Sequence, residues 1–521
     1  MKDRHWMRHW VFAAMLLIAS PATLATAADS ATIEPAPPPE ANLHLSLDAF
    51  IARVHERNER IHFQKLEWDI SQDAVANAKA IFEPQLVASY LHDYSHIPKT
   101  VEDYSSLGFL DSSNDTYTKR NNEYASAVEG LLPTGAQVRL GYTLRELQSS
   151  LLDAANTDSQ FQTFFGGSLV QPLLKNAGSD VTRANIRVAE ADSAMALQGY
   201  RREMLQVVSE AASAYWNLRL AQEKVGIREE SVRIAEAILH DNQERVRTGK
   251  MAETEVIEAE AGLALRRSLE IAARQELMAA ANAVKTLFSM PAMEMDGTVV
   301  ATDPLVLREI ETDFLSTYEQ SRRTRPEYLS ILHKVEREGI RLAYAENQRW
   351  PQLDLKASYG INGLDNDSPG GSWRRGEGAD YPSYTVGLEL RLPIMGGGKA
   401  KSEVAAAKRR KEQTLLELKA TETALANAAD TSIRNVRSAV DQAVKYAQVV
   451  RLNEQLLAVE LERMAAGLSN SRLVLDRDEE LNRAREAYFE SLVNLEKAAV
   501  ALEAVKGSLL NKYGIDIAEA S

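Results

Sequence analysis

Acidic side chains are plentiful in this sequence, but their grouping is poor for chemistry. LVLDRDEE (473–480) sets Asp476, Asp478, Glu479 and Glu480 close together. Carboxylates at that density could share a proton or hold a cation. They lie in a stretch of strong helix formers, where a solvated helix face is the plainer reading. The nine histidines are scattered and none falls in an HExxH pattern. MGGGKAK (395–401) has neither the spacing nor the terminal Ser/Thr of a phosphate-binding loop. Met290, Met293 and Met295 in SMPAMEM could offer thioethers to a soft metal, but methionine at that density more often fills a packing gap. Cysteine is absent, which removes thiolate metal sites, disulfides and a Cys nucleophile. No catalytic, metal or cofactor constellation emerges, and an enzyme is not expected.

The elements that would carry these residues are more telling. No proline falls between Pro172 and Pro291, and none follows Pro393. Proline inside a helix costs roughly 3 kcal/mol, so these gaps are where long helices can form. Gly249 and Gly467 sit near the middle of each gap and read as tips of helical hairpins, since glycine is favoured just past a helix end. A helix from Asp180 to about Arg247 would hold roughly 68 residues and run ~100 Å. That length implies a coiled coil or helical barrel. Each gap is entered through a Pro–Gly joint: Pro172 with Gly178, and Pro393 with Gly396. Proline ends a strand without harm there, and glycine permits the bend.

The two halves are a duplication. Gly249 and Gly467 are 218 residues apart, and the same offset pairs Asn217 with Asn435, Arg245 with Arg463 and Gly178 with Gly396. Upstream the offset becomes 267, pairing PQL at 84–86 with PQL at 351–353 and Asn58 with Arg325. An unequal insertion between PQL and the joint explains both numbers. The inserted region reads as strands: LVASYLHDY (86–94), EYASAVEGLL (123–132), AQVRLGYTL (136–144) and FQTFFGGSLVQ (161–171). The second copy offers LDLKASYGI (353–361) and YTVGLELRL (384–392). LPTG (132–135) is a tight turn between long polar loops, as in outer-membrane barrels. Either its hairpin is embedded, giving six strands, or it decorates a loop, giving four.

Lys2, Arg4 and Arg8, the apolar VFAAMLLIA (11–19) and Ala25-Thr26-Ala27 form a secretory signal peptide over residues 1–27. These residues carry a net +2, so the −14 of the whole chain becomes −16 without them. Such an acidic chain is a poor nucleic-acid binder. EPAPPPEAN (34–42) lies in a Pro-rich linker assigned to 28–44. Beyond the signal no apolar run reaches eighteen residues, so a membrane could be crossed only by a β-barrel.

LSLDAFIARVHERN, the two PQL triplets, QPLLKNAGSDVTRANIRVAE, AYWNLRLAQEKV and RVRTGKMAETEVIEAEA occur in that order, followed by RTRPEYLS and YTVGLELRLPIMGGGKAKSEVAAAK. Order and doubling together resemble the outer-membrane efflux protein (TolC) family, from about Leu45 to Tyr513. The resemblance implies a mainly α fold with a membrane β-barrel, built from a duplicated unit of helix, strands and long helical hairpin. The first repeat would span 45–290, with strands at about 86–171 and a hairpin at 180–289. An equatorial segment at 291–324 separates it from the second repeat at 325–513, with strands at about 353–392 and a hairpin at 399–510. A tail at 514–521 ends the chain.

The resemblance further implies a homotrimer whose strands share one barrel in outer-membrane lipid and whose helices form a periplasmic tunnel. It would be a passive exit duct for small molecules, fed by an inner-membrane transporter through a periplasmic adaptor, with no cofactor. In the family, two aspartates six and nine residues past the second tip glycine ring the closed entrance. Here the ninth position is Asp476 but the sixth is Leu473; the first copy has Glu255 and Glu258 in the corresponding places. The tips Thr248-Gly249-Lys250 and Ala466-Gly467-Leu468 correspond to the adaptor-docking surface. Type I protein secretion, metal-ion export and a soluble periplasmic coiled-coil scaffold or adaptor are the competing functions.

Overall fold

The computed structural model describes residues 42–99, 116–149, 157, 159–392, 394 and 397–515. The signal peptide, most of the linker, the last six residues, Pro393 and Gly396 lie outside them. The first copy begins with β1 (Asn42–Leu45), α1 (Leu47–Arg57) and α2 (Glu59–Lys79). Four strands follow: β2 (Gln85–Pro98), β3 (Thr116–Leu131), β4 (Gln137–Ser149) and β5 (Gln160–Pro172). Next come a single turn α3 (Ser179–Thr182), the long α4 (Ala184–Arg247) and α5 (Glu253–Leu287). A short β6 (Thr298–Ala301) leads to the second copy, which has α6 (Phe314–Thr324), α7 (Pro326–Asn347) and β7 (Gln352–Asp365). It continues through α8 (Pro369–Glu377), β8 (Pro382–Arg391), α9 (Gly398–Ala465), α10 (Ser471–Lys506) and α11 (Leu509–Lys512).

The expected 68-residue first helix is split. Arg183 leaves helical geometry between α3 and α4, and α4 has 64 residues. Its counterpart α9 is unbroken at 68 residues. The returning helices α5 and α10 are about half as long, at 35 and 36 residues. The remaining length of each long helix is flanked by the shorter α2 and α7, which pack against α4, with α7 also against α9.

The duplication is visible in the backbone itself. The offset pair Asn58 and Arg325 forms the joints α1/α2 and α6/α7. Each joint also holds the end of its copy's hairpin. Asn58 Nδ2 donates to the Leu287 carbonyl at 2.8 Å, and Arg325 Nη1 to the Ala504 carbonyl at 2.9 Å. Both satisfy carbonyls that a helix end leaves without a partner.

The main core surrounds the middle of α4. Val207, Val208, Ala211, Tyr215 and Leu218 pack with Phe50, Ile51 and Val54 of α1, and with Phe288, Val299, Leu509 and Leu510. Full burial of such side chains stabilises by ~1.5–3 kcal/mol each. β1 pairs in parallel with β6, so the last residues assigned to the linker are structured. Tyr215 ties this pair to α4: its hydroxyl donates to Asp303 Oδ2 at 2.5 Å, accepts from the Thr302 amide at 3.1 Å and lies 3.0 Å from the Leu45 carbonyl oxygen. Burial and Asp303 push the Tyr215 phenol up to about 12. Met290 packs on this core, whereas Met293 is exposed, so the methionines do not form one patch.

β2, β3, β4, β5, β7 and β8 form one antiparallel sheet in that order. Register makes its two faces chemically distinct. Leu86, Val128, Leu140, Gly167, Tyr359 and Tyr384 form one continuous row across all six strands. On β8 that face continues as Val386, Leu388 and Leu390; Tyr384, Val386 and Leu388 are 78%, 71% and 68% exposed. The opposite face carries the ion pairs Glu129–Arg139, Glu123–Arg145 and Lys356–Glu389. Strand residues alternate between faces, so an apolar outside and a charged inside come from a period of two. No helix among the described residues is long and apolar enough to cross a membrane.

One polar loop contains an unexpected element. NGLDNDSPGGSWRRGEGADYP reads as loop, but Ser368 caps α8, accepting from the Gly371 amide. Trp373 packs edge-on against Tyr142 and Phe165, laying α8 over the apolar sheet face. Gly363 permits this approach, since a Cβ there would lie 1.8 Å from the Ser372 carbonyl oxygen.

Candidate tunnel entrance at the hairpin tips

Both tips close by the same device. At the first, Gly249 has φ 70°, its amide donates to the Val246 carbonyl, and the Lys250 amide donates to that of Arg245. At the second, Gly467 has φ 75°, its amide donates to Met464, and the Leu468 amide donates to Arg463. This is the Schellman closure, which needs a left-handed residue just after the cap. Among the described residues nothing crowds either glycine, so the backbone angle accounts for the residue type. Thr248, Gly249, Lys250, Ala466, Gly467 and Leu468 are all exposed.

The sequence-derived acids do not form one cluster in a single chain. Asp476 and Glu258 are exposed on separate helices. Glu255 is half-buried, and its Oε2 is buried with no hydrogen-bond partner among the described residues. Leu473, in the position of the missing aspartate, is exposed. Among the described residues no group of acids and histidines is arranged to hold a metal ion.

The structure instead singles out Asp478, which sequence reading grouped with the surface acids. It is 1% exposed. Its Oδ2 accepts from Ser231 Oγ at 2.5 Å on α4, from Arg266 Nε at 3.4 Å on α5 and from Asn482 Nδ2 at 3.1 Å. Arg266, equally buried, also donates to the Leu475 carbonyl at 2.5 Å. Closer to the tip, Asn242 Nδ2 donates to Ser471 Oγ at 2.7 Å and to the Glu255 carbonyl. Further from it, Arg228 bridges Glu479 at 2.9 Å and Glu486 at 2.7 Å. Burial holds the Glu486 carboxyl above its ordinary value, against the pull of Arg228. These contacts join the second hairpin to both helices of the first. The sequence signal was faint: Asp478 falls in phase with Val474, Leu475 and Leu481 on the buried side of α10.

At the other end of the long helices, Pro172 closes β5 and Gly178 precedes α3 with φ 97°. The Gly178 amide donates to the Thr134 carbonyl at 3.2 Å, tying this joint to the LPTG turn. In the second copy Pro393 and Gly396 lie outside the described residues. The left-handed residue there is Gly397, φ 66°, directly before α9.

The chain matches the outer membrane efflux protein family over residues 51–288 and 317–508. No curated protein sequence matches it. Among solved structures it is similar to the CmeC outer membrane channel of Campylobacter jejuni, with 15% identity, a TM-score of 0.63, and coverage of 89% of this chain and 86% of that one. The outer-membrane channel OprN gives 14% and 0.63, covering 88% and 89%. VceC of Vibrio cholerae gives 14% and 0.61, covering 88% and 96%. Such identities show the fold, while the family match spans most of the chain in two blocks that follow the duplication. The chain therefore belongs to the outer membrane efflux protein family.

Proposed function

We propose that three copies of this chain form a passive exit duct for small molecules, with the hairpin tips as its periplasmic entrance. One observation carries the assembly: the sheet has an exposed apolar face and two open edges, β2 and β8. Open edges invite pairing with another chain, and closure between copies removes them. The helices support the same reading. On α9, Val449, Leu452, Leu456 and Val459 are exposed at heptad spacing, a coiled-coil seam without a mate among the described residues. On α5, Ile257, Ile271 and Met278 are exposed at multiples of seven. Threefold assembly offers each stripe the other as its cover.

Within that assembly three Asp476 carboxylates converge near the axis, with Glu255 and Glu258 as further acidic positions. A carboxylate ring attracts cations and repels anions. The exposed tips, including Leu468 at 71% exposure, form the end surface for a periplasmic adaptor bringing cargo from an inner-membrane transporter. The apolar sheet face and family membership both favour this duct over a soluble periplasmic scaffold. Single-channel recording tests the ring: Asp476→Ala is expected to raise conductance and weaken block by divalent cations. Unaltered block would remove Asp476 from the entrance.

A further inference from the structure

A duplicated unit should give the same number of strands twice, yet the first copy supplies four and the second two. The excess is β3 and β4, joined by the LPTG turn. Three observations put this pair inside the membrane wall. First, β2 and β5 do not pair with each other; β3 and β4 stand between them with full ladders on both sides. Second, the pair is in phase with its neighbours. Tyr124, Val128, Leu140 and Tyr142 lie on the apolar face, while Glu123, Glu129, Arg139 and Arg145 pair on the charged face. A decoration in water has no need of an apolar face matched to the strands beside it.

Third, the turn is fastened to the strand–helix joint. Gly135 has φ 88°, and a Cβ there would lie 2.6 Å from the Asn176 carbonyl oxygen. Gln171 Nε2 donates to the Thr134 carbonyl at 3.2 Å, beside the Gly178 contact. The turn therefore sits at the periplasmic end of the wall, on the opposite side from the loop that carries α8.

We propose that three copies of the six-stranded sheet close one eighteen-stranded barrel, in which the inserted pair widens the outer-membrane lumen. The partner is a second copy of this chain, its β2 edge pairing antiparallel with the β8 edge of the first. An even count per copy keeps strand direction alternating around the closed wall. The duplicated unit alone would give twelve strands; barrel diameter grows roughly linearly with strand number, so the insertion enlarges the bore about 1.5-fold. This inference rests on the trimeric reading above.

The absence of cysteine allows a topological test with single thiols in whole cells. Under an impermeant maleimide, Asp367→Cys in the outer loop should label at once. Thr134→Cys should label only after the outer membrane is permeabilised. Leu140→Cys should resist water-soluble reagents and react with a lipophilic one. Labelling of Thr134→Cys and Leu140→Cys in intact cells, as readily as Asp367→Cys, overturns the inference and leaves the trimer standing. Native mass of the detergent-solubilised protein reports the trimer separately. Deleting 116–149 joins β2 to β5 through the loops and should shrink the barrel seen by electron microscopy to about two-thirds of its diameter; an undiminished barrel also overturns the inference. If the deletion does not assemble, the thiol pattern decides.

Discussion

The two long helices descend from one duplicated unit but live in different surroundings. α4 is central, packed by α1, α2, α5, α7 and α10, and its middle is the main core. α9 is peripheral, packed by α6, α7 and α10, with its heptad stripe exposed. Equal helix-forming tendency has thus been put to unequal use. One copy's helix completes the subunit; the other's keeps an apolar stripe exposed.

The largest expected effect breaks the link between the hairpins. Asp478→Ala leaves Arg266 buried and unpaired and should destabilise the chain by about 3–5 kcal/mol in denaturant titration. Replacing both Arg266 and Asp478 by apolar residues of similar volume should recover most of that loss. Next, Leu218→Ala on α4 should cost about 2–5 kcal/mol. Leu452→Ala on α9 should change subunit stability by only about 0.5 kcal/mol, while lowering the trimer fraction in cross-linking. Equal effects on folding would cancel the contrast between the helices.

Smaller effects sharpen it. Gly249→Ala and Gly467→Ala should each cost about 1–2 kcal/mol, because a Cβ disfavours the left-handed region. Near-identical losses would confirm that the tips are equivalent as turns. Last, the raised Tyr215 phenol gives an alkaline signature. The folded state keeps its proton longer than the unfolded chain does, so this contribution is intact below pH 10 and declines as pH rises from 10 towards about 12. Tyr215→Phe should flatten the stability profile in that window.

Proline gaps, tip glycines and shifted offsets made the duplication legible in the sequence, and period-two alternation made the six strands legible while leaving open whether β3 and β4 join the sheet. The break at Arg183 carried none. α8 was hidden because Gly370, Gly371 and Gly376 weaken its helical signal, and its helix depends on the Ser368 cap and on Trp373 finding Tyr142 and Phe165. Asp478 was misread for a related reason. An acid in a run of acids looks solvated, and only the arrival of Ser231 and Arg266, more than two hundred residues away in sequence, makes it a buried one.

The Schellman closures have a consequence for how the gene can change. They recur at the hairpin bases, where the left-handed residues are Ser289 and Gly507, with φ 52° and 70°. Tip and base lie 40 residues apart in both copies, from Gly249 to Ser289 and from Gly467 to Gly507. One residue added to either returning helix would advance its end by about 1.5 Å and turn it by roughly 100°, leaving the two tips uneven. Insertions and deletions within these helices should therefore survive only when matched in both halves, and the distance from hairpin base to hairpin tip behaves as a ruler copied along with the gene.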